Sequence, residues 1–205
     1  MALREEIRER ITNAPRGTVF TTKDFLDLGP YESVRKILPW MAKDAEIRRI
    51  IQGIYDRPYY SELLRETRAP DIAQVAKALA RSFNWTIAPS GATALNLLGL
   101  TTQVPAHYEY ISDGPYRKYD IDGITLSFAH RNNRSISSLS PKTVLVIEAL
   151  KFLGKDHVDD AVVRALSLAL NSEEMSKALI EAKQTSQWIY DVMRKVTAIH
   201  ANKDN

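Results

Sequence analysis

Four histidines, a pair of aspartates on a predicted strand and a scatter of serines are side chains that catalysis or metal binding would draw on, and their spacing supports neither. His107, His130, His157 and His200 lie far apart, with no pair at metal-ligand spacing and no HExxH, phosphate-loop or GxGxxG pattern. Asp120 and Asp122 stand two apart, which on a strand puts both on one face where a cation could bind. Asp122-Gly123 is equally a hairpin-turn dipeptide, the commoner place for such an aspartate. No serine occupies a nucleophile elbow. With 0 cysteines the chain has no disulfide, thiolate zinc site or cysteine nucleophile. The expectation is a protein that is not an enzyme and holds no cofactor or metal.

A different chemistry is concentrated near the N-terminus. Thr22, Lys23, Ser33, Arg35, Lys36, Trp40, Lys43, Arg48, Arg49 and Gln52 combine cations for phosphates with hydroxyl, amide and aromatic groups for base edges, as a DNA contact surface requires.

The elements that must position these residues follow from periodicity. Leu3, Ile7 and Ile11 recur at i, i+4 and i+8, which predicts an amphipathic helix over Leu3 to Asn13. Pro15 to Gly17 break it, Thr18 to Phe20 are extended, and Thr22 is the expected N-cap of a helix from Lys23 to Leu28. Gly29-Pro30 make the turn into a helix from Tyr31 to about Lys43. At about 100° per residue, Val34, Ile37, Leu38 and Met41 share its apolar side, and Glu32, Arg35, Lys36, Trp40 and Lys43 its wet side. Pro39 interrupts this helix, so a kink or a late start is expected. Glu46 to Ile51, the turn Gln52-Gly53 and Ile54-Tyr55 read as a β-hairpin. Helix, turn, helix and hairpin in that order suggest a winged helix, with the second helix in the major groove and Arg48 and Arg49 on phosphates or in a minor groove.

At 205 residues the chain exceeds what a winged helix needs, so a second domain is required. The expected division is residues 1–60 and 61–205, with Glu62 to Pro70 as the connection. A net charge of +3 is small, so DNA binding must come from clustering. No apolar run reaches about 18 residues and no signal pattern opens the chain, so a soluble, cytoplasmic protein without membrane contact is expected.

In the second part, Asp71 caps a predicted helix to about Phe83, with Ile72, Val75, Leu79 and Phe83 on one face. Asn84 to Ala88 is extended, and Pro89-Ser90-Gly91 opens a helix from Ala92 to Leu98. Its free amides could hold an anion beside Ser90, although Ser90 is also an ordinary N-cap. His107 to Ser112, Arg117 to Asp122 and Ile124 to Ala129 predict a three-stranded antiparallel meander. The loop after it carries Arg131 and Arg134, available to a phosphate or a protein partner. Helices are predicted over Val144 to Phe152, Val158 to Leu170 and Glu173 to Ile199, the last with an apolar stripe from Leu179 to Val196, and His200 to Asn205 are expected to be disordered. The fold class is α+β.

Thr18-Val-Phe-Thr-Thr-Lys-Asp-Phe-Leu-Asp-Leu-Gly29, Ala45-Glu-Ile-Arg-Arg-Ile50 with Gly53-Ile-Tyr55, Ile87-Ala-Pro-Ser-Gly-Ala-Thr-Ala-Leu-Asn-Leu-Leu-Gly99 and Thr102-Gln-Val-Pro-Ala106 together resemble the AbiEi-type antitoxin and transcriptional-regulator family. The resemblance spans roughly Arg8 to His130, and its Pro-Ser-Gly segment is the more specific part. It implies an N-terminal winged helix that binds operator DNA and represses its own operon, and a C-terminal domain that counters a nucleotidyltransferase-like toxin encoded beside it in phage defence. Carried over, the DNA-reading helix falls on Tyr31 to Lys43 and the wing on Glu46 to Tyr55. Pro39-Trp40 and Asp44-Ala45 depart from the family's Arg/Lys helix ending in Gly. The alternative is an orphan winged helix serving as a protein-docking module, with the C-terminal domain an adaptor or enzyme acting on a toxin or RNA.

Overall fold

Apolar residues at helical spacing build the first elements around one small core. In the computed structural model, which describes residues 2–63 and 65–201, α1 (Leu3–Asn13) buries Ile7 and Ile11, and α2 (Tyr31–Lys43) buries Val34, Leu38 and Met41. They close on Phe20, Phe25, Ile47 and Tyr55. Strands β1 (Val19–Thr21), β2 (Arg48–Ile51) and β3 (Ile54–Asp56) form an antiparallel sheet in the order β1-β3-β2. A bulge between Arg49 and Ile51 shifts the β2–β3 register.

Two local expectations are corrected here. The segment expected as a helix from Lys23 to Leu28 is a 3-10 helix over Thr22–Phe25, and its N-cap is Thr21, not Thr22; the Asp24 carboxylate accepts from the Thr21 amide at 2.8 Å. Of the two expectations for Pro39, the late start is not met, since α2 begins at Tyr31. The helix runs on both sides of Pro39, which lies on the exposed side where its ring meets solvent rather than core.

The chain divides into two compact units, Met1–Trp85 with Ile121–Gly123, and Thr86–Asp120 with Ile124–Asn205. The expected division at residue 60 falls inside the first. There, the stretch read as a connection carries the hairpin β4 (Tyr60–Ser61) and β5 (Glu66–Thr67). After it α3 (Ile72–Phe83) packs on β1 and β3, and Arg81 donates to Asp24 and to the Val19 carbonyl. Asp71 caps α3 as expected, accepting from the Ala73 and Gln74 amides at 2.9 and 3.3 Å.

The second unit pairs a sheet with a helical layer. β6 (Ile87–Ser90), β7 (His107–Ser112), β8 (Arg117–Ile121) and β9 (Ile124–His130) take the order β6-β7-β9-β8. The expected meander is therefore wrong in one connection: β7 runs parallel to β9 and does not neighbour β8. Asp113-Gly114 is no hairpin turn, because β7 and β8 are not paired; Asp113 accepts from the Thr86 amide and from Asn133. Asp122, at φ +51°, and Gly123 do make the two-residue turn from β8 to β9.

α4 (Gly91–Leu97), the short α5 (Arg134–Ser137), α6 (Pro141–Leu153), α7 (Asp160–Ala169), α8 (Ser172–Ala182) and α9 (Gln187–Ala201) complete the unit. Leu150, Leu166, Met175, Ile189 and Val196 are central to its core. The single final helix expected from Glu173 is two, broken between Ala182 and Gln187, and Ile180 is exposed rather than part of a buried stripe. α9 continues through Ala201; residues 202–205 of the expected disordered tail lie outside the described residues. Among the described residues, no helix is long and apolar enough to cross a membrane. The fold is α+β, with small antiparallel and mixed sheets.

Candidate nucleic-acid interface

α2 presents its chemistry because its apolar residues are spent on the core. With Val34, Leu38 and Met41 buried, the helical repeat turns Glu32, Arg35, Lys36, Pro39, Trp40 and Lys43 outward, and all six are exposed. Arg35 is held within the helix by Glu32, at 3.0 and 3.2 Å. Trp40 is 62 % exposed, and the Lys43 ammonium lies 6.0 Å from its ring centre. Ser33 is half-buried. Lys23 is exposed and donates to Asn84 at 3.0 Å, whereas Thr22 is buried and keeps its hydroxyl from any ligand surface.

The two arginines of β2 have separate fates. Arg48 faces Asp56 across the ladder, and that carboxylate is 1 % exposed; Nε donates to it at 3.0 Å, Nη2 makes the ion pair, and Nη1 donates to the Arg68 carbonyl at 2.9 Å. All three guanidinium nitrogens thus have partners within the fold. Arg49, one residue on, points the other way and is exposed; its charge tempers the upward push that burial gives the neighbouring Tyr55 hydroxyl. Gln52 is exposed at the hairpin tip, where Gly53 takes a φ of +78°. The surface assembled from α2 and this hairpin is Arg35, Lys36, Trp40, Lys43, Arg49 and Gln52. Arg48 is its support.

A charge cluster that sequence reasoning missed fixes the hairpin to the helices. Glu46 accepts from Arg8 at 2.6 and 2.9 Å and from Arg4 at 2.6 Å, and Arg4 also pairs with Asp44. Hydrogen bonds from Arg8, then from Arg4, hold the Glu46 carboxyl at about 2, against the opposing push of burial, and raise the Arg8 guanidinium further above its usual range. Between the two acids, Ala45 adopts a φ of +56°, a conformation that favours glycine. The i, i+4 spacing of Arg4 and Arg8 on α1 was the available signal; their partner, some 40 residues away, was not.

The other candidate residues do not join this surface. Ser90 is buried, and the Glu109 carboxylate already fills the space at the start of α4, so close that a Cβ on Gly91 would lie 1.8 Å from Oε2. An external anion there would meet a carboxylate. Arg131 donates to the neighbouring His130 carbonyl at 2.9 Å, and Arg134 is exposed in α5. His107 Nε2 lies 2.7 Å from Ser127 Oγ and His130 Nδ1 2.9 Å from the Gly114 carbonyl, each a separate local contact. Among the described residues no three His, Asp or Glu side chains gather as a metal site.

A model of a family of unknown function (DUF6088) matches residues 6–178. No curated protein matches. Among solved structures, the chain is similar to that of the RV2827C protein from Mycobacterium tuberculosis at 13% identity, covering 98% of this chain and 81% of that one, with a TM-score of 0.41.

Proposed function

We propose, for a chain that belongs to the DUF6088 family of unknown function, a role as a DNA-binding transcriptional autoregulator whose first unit is a winged helix-turn-helix. The observation that carries this reading is the exposed row Arg35, Lys36, Trp40 and Lys43 on α2, with Arg49 and Gln52 on the adjoining β2–β3 hairpin. α2 serves as the helix that enters the major groove, and the hairpin as the wing. Lysine and arginine side chains neutralise phosphates and release counterions, so affinity falls steeply with salt. The resemblance to AbiEi-type regulators supports the wider reading, in which the protein represses its own operon and its second unit counters a nucleotidyltransferase-like toxin encoded beside it.

The test is a gel shift against a duplex of the chain's own upstream region, over a series of salt concentrations. Binding above competitor level is expected, and Lys36→Ala or Arg49→Ala should weaken it on every sequence, each lowering the slope of log affinity against log salt by about 1. Both variants should melt as wild type does. Arg48→Ala should instead lower stability by about 1–3 kcal/mol, because it removes donors from the buried Asp56 carboxylate. Absence of a shift at low salt overturns the reading.

A further inference from the structure

The exposed ridge of α2 carries an apolar centre between two cations. Pro39 and Trp40 are adjacent and exposed, Lys36 lies one turn before Trp40, and Lys43 lies three residues after it with its ammonium 6.0 Å from the indole. A turn of helix rises 5.4 Å. The ridge therefore reads charge, apolar, charge along the helix. Arg35 is partnered by Glu32, and neither Lys36 nor Lys43 has a carboxylate partner among the described residues.

A helix surface of this pattern has a natural counterpart in duplex DNA. Phosphates wall the major groove, while its floor displays hydrogen-bonding edges and one kind of apolar group, the C5 methyl of thymine. We propose that Trp40, backed by Pro39, is a specificity-determining residue that packs on thymine methyl groups in the major groove, with Lys36 and Lys43 on the flanking phosphates. This rests on the DNA-binding reading above and adds to it the chemical feature that is read. The competing use of the indole, Nε1–H donating to guanine N7 or O6, predicts no dependence on the methyl.

The experiment uses the full chain and one upstream duplex made twice, once with thymidine triphosphate and thymine primers and once with deoxyuridine triphosphate and uracil primers, so that the second lacks every thymine methyl and keeps every base pair. Wild-type affinity should fall about fourfold for each methyl contacted. Trp40→Ala should bind both duplexes with equal affinity, and Trp40→Phe should keep part of the preference. All three should melt alike, since the indole is exposed. Equal wild-type affinity for the two duplexes overturns the proposal while leaving the DNA-binding reading standing. Equal loss in wild type and Trp40→Ala also overturns it, by assigning the effect to duplex stiffness. No binding to either duplex at low salt overturns the underlying reading, and this inference with it.

Discussion

Glu46 shows how one carboxylate can serve two guanidinium groups and set a pH response. Its pKa is near 2 in the fold against an ordinary 4.5, because Arg8 and Arg4 donate to its ionised form. A depressed carboxyl pKa contributes stability that is fully present above the unfolded value and is lost as pH falls toward the folded one. The window is therefore pH 4.5 down to about 2. Both side chains are partly exposed, so solvent screening keeps the contribution well below what the shift alone would imply. Glu46→Gln should unfold at lower urea than wild type at pH 7, and the difference should shrink steadily below pH 4.5 to a small remainder at about pH 2. A gap that stays constant over that range would show that the carboxylate's charge is irrelevant. The same scale explains why Arg48 and Arg49 looked alike in sequence. Adjacent residues on a strand face opposite sides, but which side holds a buried acid depends on the β2–β3 register, and a bulge sets that register.

The turn from α2 into β2 is the element on which the hairpin's aim depends. Ala45 sits there at φ +56°, where a Cβ costs roughly 1–2 kcal/mol; the ion pairs of Asp44 and Glu46 with α1 flank it on both sides. Ala45→Gly should raise thermal stability by about 0.5–1 kcal/mol once glycine's greater unfolded freedom is deducted. A calorimetric melt checks it, and a lower melting temperature would refute it. Much of this level was legible from the chain. The helical repeat and Gly29-Pro30 gave the bounds of α2, the side chain of Asp71 marked the start of α3, and Asp122-Gly123 marked a real turn. Long-range pairing was not legible: β7 alternates like a meander strand, yet its neighbours are β6 and β9, chosen by packing rather than by the next turn. Lys183 to Ser186 were likewise read as helix because the apolar spacing of α8 and α9 nearly stays in phase across their break.

At the scale of the molecule, the first unit is larger than a helix-turn-helix and hairpin alone. α3 covers β1 and joins the 3-10 helix through Arg81 and Asp24, burying Ile72, Val75 and Leu79 on the way. A fragment of residues 1–85 should therefore fold cooperatively, whereas residues 1–60, deprived of α3, should show a broad melt and exposed apolar surface. Circular dichroism with a dye that reports such surface distinguishes them, and a sharp transition in the shorter fragment would refute the assignment. In the second unit, Gly91 and Glu109 lie on different elements but share one small volume. A side chain at residue 91 would meet two obstacles at once, a backbone φ of +57° and the end of the Glu109 side chain, so Pro-Ser-Gly is one half of a contact whose other half is an acid 18 residues downstream.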